Sequence, residues 1–320
     1  MSEKVVSVAD EIVSVIVPAY NYGHFLGETL SCLQKQTYAY WECVIVDDGS
    51  TDNTQQVAQE WCLKDKRFRY IFQENAGLSA ARNTGIQHSI GVFIQLLDAD
   101  DLLEVDKFKN QVELFKKIEE ADIIYSEVRY FRTECPQERR FSMSEPDSFW
   151  MPCISGKGQQ IVKKLLQINL FVVNAALVRK SVFEKIGAFN IHLKSVEDYE
   201  FWCRCAFKGL YFHYDNSPGS FALVRAHAVS MSKNNLTMSA ASYQVRKIQV
   251  GLIAAVSNKS EQLELQQIYL REVRYFLRTI IEEYKQALMK QKALEYQFRL
   301  VQLDKDVKSF LKGITSIILG

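Results

Sequence analysis

An apolar run that ends in three carboxylates constrains this chain more than any other feature. Residues 92–97 read Val-Phe-Ile-Gln-Leu-Leu, and Asp98-Ala99-Asp100-Asp101 follow directly. Such a run predicts a buried strand, and open α/β sheets bind ligands at the carboxyl ends of their strands. Because residues two apart on an extended segment point the same way, Asp98 and Asp100 are expected to face one site. Two carboxylates this close favour a divalent cation, shared with a substrate phosphate.

A second interpretation assigns one of these carboxylates to a helix cap. Asp101 suits that role, because the pattern from residue 103 to 118 predicts a helix. A cap uses a single side chain, however, and leaves the other two acidic residues unexplained.

Length, composition and charge limit the class of protein. A chain of 320 residues, 48% of them hydrophobic, suits one large α/β domain or such a domain with a helical appendage. The formal net charge of +1 gives no basic field, so no nucleic-acid partner is expected.

Cysteine usage and hydropathy indicate the compartment. The seven cysteines have no metal-ligand spacing and predict a reduced, cytoplasmic protein. Cys203 and Cys205 lie two apart on a predicted helix, which favours packing over a disulfide bridge. The polar N-terminus predicts no signal peptide, and no apolar run reaches the roughly 20 residues that span a bilayer.

Strands and helices alternate along most of the chain. The predicted strands are 12–17, 42–46, 68–73, 92–97, 121–128, 171–178, 210–214 and 220–225. The predicted helices are 25–36, 79–88, 103–118, 181–186 and 198–207. A further helix carries Val57 and Trp61 on one face, with its N-cap expected within residues 50–52. This alternation predicts an α/β fold with a doubly wound, mostly parallel, Rossmann-like sheet.

Two regions depart from the alternation. A charged, proline-containing insertion occupies residues 132–158, and from residue 239 the pattern predicts helices to the end. We expect a domain over residues 1–238, divided near residue 130, and a helical extension over 239–320.

Polar residues follow the first two predicted strands. Pro-Ala-Tyr-Asn ends the first strand at residues 18–21, and Asp-Asp-Gly-Ser ends the second at residues 47–50. Adjacent parallel strands bring both segments to one edge of the sheet. There Tyr20 can flank a base, and an aspartate can accept a hydrogen bond from a uracil N–H or a ribose hydroxyl. A turn with a helix cap explains residues 47–50 equally well. No G-x-G-x-x-G follows the first strand, so the dinucleotide fingerprint is absent.

A series of motifs in this order resembles the family 2 glycosyltransferases of GT-A fold. The motifs occupy residues 15–21, 46–52, 75–85, 97–101, 196–202 and 225–232, so the resemblance covers about residues 12–235. It implies transfer of a sugar from a nucleotide-sugar, most often a UDP-sugar, with inversion at the anomeric carbon. It thus implies a hexosyltransferase that depends on a metal ion.

The resemblance also implies roles for single residues. Asp48, the second aspartate of its motif, reads the base, and the Asp-x-Asp motif holds ribose through Asp98 and the metal through Asp100. The residues that we assign to nucleotide-sugar binding are Pro18, Ala19, Tyr20, Asn21, Asp47, Asp48, Asn75, Gly77, Arg82, Asp98 and Ala99. Departure of a nucleoside diphosphate builds charge on its β-phosphate, which Mg²⁺ or Mn²⁺ neutralises.

Two basic side chains are further candidates at this site. Arg82 follows a glycine turn and is expected to contact the diphosphate or the base; the alternative is a solvated surface arginine. His227 follows a strand and is expected to complete the metal shell or to contact phosphate, and the alternative is a structural histidine.

Inversion needs a base that takes the proton of the acceptor hydroxyl. The catalytic candidates are Glu197 and Asp198, and the resemblance selects Asp198 as the base. The dipole of the following helix is expected to hold that carboxylate anionic. A capping box formed by Ser195 and Asp198 is the alternative. We expect Trp202, one turn along, to pack rather than to line the acceptor site.

Acceptor and setting are less constrained. Processive polysaccharide synthases of the family that this chain resembles usually carry a Gln-x-x-Arg-Trp motif and membrane helices. The sequence shows neither, so the resemblance implies a single-addition transferase. Residues 132–158 and 169–174 fall where acceptors bind in the family, which implies a glycan or lipid-linked glycan acceptor in bacterial surface polysaccharide assembly. A GT-A-like nucleotidyltransferase, or a module that binds nucleotide or glycan without turnover, is the alternative.

The apolar end of the chain, residues 310–319, is expected to pack on the body of the protein. Peripheral contact with the inner face of the membrane is a second hypothesis, and homo-oligomer formation through the C-terminal helices is a third.

Overall fold

The computed structural model describes residues 11–142, 148–227 and 235–304. The chain forms two compact units. The first contains the described residues of 11–161 and 169–227, and the second contains 162–168 and 235–304. Within these residues, no helix is both long and apolar enough to cross a membrane. The predicted domain boundary at residues 238 and 239 stays a prediction.

The first unit contains two sheets. In chain order, the strands are β1 (Val13–Ala19), β2 (Trp41–Asp47), β3 (Phe68–Phe72), β4 (Phe93–Leu96), β5 (Leu102–Leu103), β6 (Ile123–Ser126), β7 (Val128–Arg132), β8 (Cys135–Arg140), β9 (Ala176–Arg179), β10 (Phe212–Asp215) and β11 (Ala222–Arg225). The main sheet has the order β10-β6-β9-β4-β1-β2-β3, and the smaller sheet has the order β5-β11-β7-β8. Every neighbouring pair of the main sheet is parallel except the two that β9 makes. The predicted mostly parallel α/β sheet is confirmed.

Helices connect these strands and form the second unit. In chain order, they are α1 (Gly23–Gln34), α2 (Thr54–Lys64), α3 (Leu78–His88), α4 (Lys107–Lys117), α5 (Gln159–Gln167), α6 (Lys180–Ile186), α7 (Glu197–Phe207), α8 (Asn235–Ala254), α9 (Lys259–Gln286) and α10 (Lys290–Asp304). Every residue of β1, β2 and β4 is buried. Strands covered on both faces read as continuous apolar runs, which is why the sequence reveals these three so clearly.

The first strand is longer than its sequence predicts, because Pro18 lies inside it. Pro18 pairs in register with Val46 of β2. Ala19 directs its carbonyl towards β2, so Pro18 faces the opposite side, where pairing with β4 ends at Ile16. The N–H that proline lacks therefore costs no hydrogen bond of the sheet.

Three predicted boundaries are wrong for a common reason. The helix expected from residue 103 begins only at Lys107, because β5 first pairs with β11. The strand expected over 121–128 divides into β6 and β7, which belong to different sheets. The strand expected over 171–178 is a 3₁₀ turn, Val173–Ala175, followed by β9. Long-range pairing overrides local propensity in each case.

The second unit is helical, as predicted, in its described residues. Its buried cluster comprises Val273, Leu277, Ile280, Ile281, Tyr284, Ala293, Tyr296 and Leu300. Asn258 caps α9 by accepting from the backbone N–H groups of Ser260 and Glu261. Buried Arg246 of α8 donates to the carbonyl of Leu166 at 2.9 Å. The predictions made for residues 310–319 lie outside the described residues.

Gly85 sets the distance between α3 and the sheet. A Cβ atom at this position would overlap Cγ2 of Ile16 and lie 3.3 Å from Cγ2 of Val46. Gly27 of α1 offers a matched comparison, because its nearest neighbour would lie 3.8 Å away, at Nε1 of Trp61.

We predict that Gly85→Ala lowers the free energy of unfolding by about 1–3 kcal/mol, because the extra methyl group overpacks the helix–sheet contact. Gly27→Ala should instead raise it by about 0.5–1 kcal/mol, because alanine favours helix where space is available. Urea unfolding followed by tryptophan fluorescence measures both, since all four tryptophans belong to the first unit. Equal effects of the two substitutions would contradict the close contact.

Candidate active site

The predicted site residues meet at the carboxyl ends of β1, β2 and β4. The antiparallel strand β9 begins at the same edge, so the turn Val173–Ala175 lies beside the loop that follows β4. Gln95 donates to the carbonyl of Asn174 at 2.9 Å and fixes this proximity. The edge therefore combines loops from four strands.

Asn174 holds both ends of the acidic loop at 98–101. Its Oδ1 accepts from the backbone N–H of Asp98 at 3.1 Å, and its Nδ2 donates to the carboxylate of Asp101. The other oxygen of Asp101 accepts from the backbone N–H of Arg225 at 2.7 Å. No helix begins at Asp101, so the helix-cap interpretation is wrong. Asp101 instead ties the loop after β4 to β11.

The structure brings the two predicted metal ligands into contact. Oδ2 of Asp100 lies 2.7 Å from Nε2 of His227. The side chains are 15% and 10% exposed, so the contact is shielded from solvent without being closed off. Burial, followed by the charge of Asp98, raises the pKa of the Asp100 carboxyl. A role in metal binding stays a prediction.

The donor set at this contact fits a hard divalent ion. Carboxylate oxygen and imidazole nitrogen both suit Mn²⁺, and carboxylate suits Mg²⁺. Within residues 11–142, 148–227 and 235–304, no three His, Cys, Asp or Glu side chains are arranged to hold a metal by themselves. Since Mg²⁺ sites in phosphoryl enzymes are completed by phosphate oxygens and water, Asp100 and His227 suit an ion shared with a diphosphate.

Arg82 is a buried link between two carboxylates, not a solvated surface arginine. It is 1% exposed; its Nη2 donates to Oδ1 of Asp98 at 2.7 Å, and its Nη1 contacts Oε1 of Glu197. Burial alone would lower the pKa of Arg82, but the charges of Asp98 and Glu197 outweigh it and raise that pKa. The loop after β4 and the start of α7 are thus joined through one guanidinium group. The predicted contact of Arg82 with the nucleotide stays a prediction.

Asp198 is part-buried in the first turn of α7. Its Oδ1 accepts from the backbone N–H of Tyr199 at 2.7 Å, and its Oδ2 lies 3.4 Å from Nδ2 of Asn169. Burial, followed by the charge of Glu197, raises the pKa of Asp198 to about 7. Burial thus acts against the expected effect of the helix dipole, and the expectation that this carboxylate is held anionic stays a prediction.

The backbone before Asp198 is strained. Val196 occupies the N-cap position of α7 with φ 54° and ψ 25°, and no side chain caps the helix. A β-branched residue in the left-handed region is rare. Ser195 therefore does not form the capping box considered above. Such strain is commonly found where a functional side chain is held in place.

Asp48 holds the loop at 75–77. Its two carboxylate oxygens accept from the backbone N–H groups of Ala76 at 2.9 Å and Gly77 at 2.8 Å, and Gln73 adds a side-chain donor at 2.7 Å. Asn75 donates to the backbone carbonyl of Asp48 at 2.9 Å. Asp48 is 4% exposed, so these donors occupy most of its carboxylate. Base recognition by Asp48 stays a prediction.

Asp47 stabilises the turn at residues 47–50, which was one of the two interpretations of this segment. Its Oδ1 accepts from the backbone N–H of Ser50, and its Oδ2 from the hydroxyl of Tyr70, both at 2.8 Å. Asp47 is 1% exposed, which leaves it little surface for a ligand.

The remaining predicted residues divide into surface and backbone positions. Tyr20 is 47% exposed at the sheet edge, where its ring is accessible. Asn21, at φ 58°, accepts from the backbone N–H of Thr51 at 2.8 Å and joins the first two loops. Pro18, Ala19 and Ala99 are buried, so they offer backbone rather than side-chain contacts.

Sequence reasoning missed two residues that organise the site. One is Asn174, described above. The other is Arg225, which donates to the carbonyl of Asp100 at 2.7 Å and to Oε2 of Glu28 at 2.6 Å. Arg225 stands at the head of the last sequence motif, which was the available signal, whereas nothing local marks Asn174. Trp202 is fully buried against Phe171, which confirms its predicted packing role.

A family model and curated relatives agree on what this chain resembles. The model described as "Glycosyl transferase family 2" matches residues 14–187. Glycosyltransferase GlyA of Streptococcus pneumoniae is 45% identical over 116 residues, which are 36% of this chain and 16% of GlyA. An uncharacterized glycosyltransferase of Rickettsia prowazekii is 28% identical over 198 residues, covering 60% of this chain and 57% of that protein. The chain spans less than two thirds of the length of both relatives.

Solved structures share the fold. Residues 1–349 of S. aureus TarS, in complex with UDP-GlcNAc, superpose with a TM-score of 0.66 at 17% identity, covering 96% of this chain and 92% of that one. The mannosyltransferase PcManGT of Pyrobaculum calidifontis, with GDP-Man and Mn²⁺, gives a TM-score of 0.56 at 14% identity, covering 96% and 87%. At such identities the likeness confirms the GT-A fold alone.

We predict that Arg82→Met lowers the free energy of unfolding by about 3–5 kcal/mol, because it leaves Asp98 and Glu197 without their shared partner. Lys157→Met is the control, since it removes an exposed ion pair with Glu120 and should leave stability unchanged. Urea denaturation measures both. If Arg82→Met changes the free energy of unfolding only slightly, the two carboxylates do not depend on this arginine.

Proposed function

Because this chain belongs to glycosyl transferase family 2, we propose that it is an inverting hexosyltransferase that moves a sugar from a nucleotide-sugar to a hydroxyl acceptor. One observation carries the proposal. Through Arg82, the loop that carries Asp98 and Asp100 is joined to the start of α7, which carries Asp198. A donor site and a base are thereby held on either side of one buried arginine.

The proposed donor is a UDP-sugar. The exposed ring of Tyr20 can stack on a base, and Asp98, which is 33% exposed, can accept from ribose hydroxyls. Fold neighbours bind related donors, UDP-GlcNAc in TarS and GDP-Man in PcManGT. These complexes support a nucleotide-sugar as the class of donor.

Asp100 and His227 are the residues that would hold Mg²⁺ or Mn²⁺. When bound, the ion neutralises charge on the departing diphosphate. Arg225 supports this pair by fixing the backbone carbonyl of Asp100 and, through its own N–H, the carboxylate of Asp101.

Asp198 is the proposed base. A pKa of about 7 leaves a large deprotonated fraction at neutral pH and gives a stronger base than an ordinary aspartate. Asn169 and the backbone N–H of Tyr199 orient its carboxylate. Glu197 is engaged by Arg82, so it positions the site rather than accepting the proton.

The proposed setting is bacterial surface polysaccharide assembly, with a glycan or lipid-linked glycan acceptor in the cytoplasm or at the inner face of the membrane. Sequence similarity to bacterial glycosyltransferases and seven free thiols support this setting. Two alternative functions differ from this proposal in what they require. A nucleotidyltransferase would not need Asp198, and a non-catalytic binding module would show no turnover.

We predict that Asp198→Asn abolishes sugar transfer and leaves UDP binding unchanged, because it removes the proton acceptor without altering the donor loops. In the unsubstituted chain, kcat/KM should rise with pH through about 7 and level off above it, since the base works when deprotonated. Product detection by mass spectrometry over a panel of UDP-sugars and oligosaccharide acceptors measures both effects.

Glu120→Gln is the control, because it alters an exposed carboxylate of the same unit. Full sugar transfer by Asp198→Asn would refute the assignment of Asp198 as the base. Binding of UDP with no turnover by the unsubstituted chain would favour the non-catalytic module.

A further inference from the structure

Lys107, at the start of α4, is completely buried although its side chain ends in an ammonium group. Its Nζ donates to the carbonyl of Ala175 at 2.7 Å, to Oγ of Ser126 at 3.0 Å and to Oε1 of Gln111 at 3.1 Å. The carbonyl of Ser220, at 3.5 Å, is a fourth acceptor. All four acceptors are uncharged, and Lys107 forms no ion pair among the described residues. The group is therefore solvated by the protein alone.

Burial of this amine carries a desolvation cost, which its hydrogen bonds offset. Burial lowers the pKa of Lys107 to about 7, although the charges of Asp215 and Glu104 act in the opposite direction. A methionine fills a similar volume without the cost of desolvating an amine. A buried amine of this kind is more readily explained by what it holds in place than by its contribution to folding.

The contacts of Lys107 lead towards the proposed metal pair along two routes. The carbonyl of Ala175 directly follows Asn174, whose side chain holds both ends of the acidic loop. The hydroxyl of Ser126 donates to the carbonyl of Ser220 at 2.6 Å, just before β11 leads to Arg225 and His227. One amine thus lies beneath both segments that bring the metal pair together.

We propose that Lys107 is a positioning residue for the metal and diphosphate part of this site. By holding Ala175 and Ser126, it fixes Asn174 and the start of β11, so that Asp100 and His227 meet at the sheet edge. Lys107 touches neither donor nor acceptor, and its role rests on the proposed function. Supporting residues behind metal ligands typically change affinity by about 10–100-fold.

Lys107→Met removes the hydrogen-bond donor with little change of side-chain volume. Lys107→Gln keeps a hydrogen-bond donor but removes the amine. Lys180 supplies the matched control, because its Nζ donates to the carbonyl of Ser89 at 2.6 Å. That contact lies at the opposite end of β9, where Arg179 pairs with the first residue of β4. Lys180→Met therefore removes a lysine–carbonyl bond far from the metal pair.

The first readout is hydrogen–deuterium exchange of the full chain without nucleotide, on peptides covering residues 96–104 and 222–227. Lys107→Met should speed exchange there by about tenfold or more, because the N–H groups of Asp98 and Arg225 lose their fixed acceptors. Lys180→Met should leave both peptides unchanged. Exchange at β2, over residues 41–47, reports general loosening and should stay constant in both variants.

The second readout is UDP affinity with and without Mn²⁺. Lys107→Met should lower the Mn²⁺-supported affinity about 10–100-fold and leave the metal-free affinity unchanged. Lys107→Gln should recover part of the loss, and adding Asn174→Ala to Lys107→Met should cost nothing further, because both act through one loop.

Unchanged exchange at residues 96–104 and 222–227 would overturn the role of Lys107 whether or not the protein binds nucleotide. Uniformly faster exchange, including at β2, would also overturn it and indicate a role in stability alone. Failure of the unsubstituted chain to bind any nucleoside diphosphate would instead contradict the proposed function, so the two failures are distinct.

Discussion

The buried ion pairs of Arg82 are the interaction on which the site depends. Asp98 follows β4 and Glu197 begins α7, and one guanidinium group joins them inside the first unit. Burying an isolated charge carries a large desolvation cost. The attraction within a buried ion pair offsets that cost only when the geometry of the pair is good. The arginine therefore contributes order more than net stability. It lets acidic loops approach each other, and Asp198 lies at their junction, one residue after Glu197.

Environment assigns different tasks to chemically identical side chains. Asp47, Asp48 and Asp101 are almost fully buried, and backbone N–H groups saturate most of their oxygens, so they hold loops. Asp100 and Asp198 have fewer such donors. Burial raises the pKa of both, as it also does for Asp101, so the number of donors is what separates the two groups. Carboxylates that are poorly satisfied inside a protein are the ones ready to take a cation or a proton.

Much of this site follows from the sequence. The buried strands β1, β2 and β4 are mostly apolar, and the polar residues after them reach one edge because parallel strands share a direction. The motifs also predict Asp100 and His227 for one site, and the structure brings these two side chains into contact. The local sequence pattern is sufficient to predict these positions, because each residue lies next to the end of a strand or the start of a helix that the pattern also predicts.

Other parts could not be predicted, because they depend on contacts far apart in the chain. Asn174 acts on Asp101 across 73 positions, and the short strand β5 exists only because β11 pairs with it. The pKa of Asp198 reflects burial, which no single segment encodes. In the sequence, Lys107 looks like an ordinary lysine at the start of a helix. Its burial depends on contacts with Ala175 and Ser126, which are distant in the chain.

The most direct test of this account is calorimetric titration of the chain with UDP, GDP and CDP, each with and without Mn²⁺, alongside Asp100→Asn. The account predicts that UDP binds, that Mn²⁺ tightens binding by about tenfold or more, and that Asp100→Asn removes the Mn²⁺ effect. Absence of binding by any diphosphate, or an Mn²⁺ effect that survives Asp100→Asn, would contradict it.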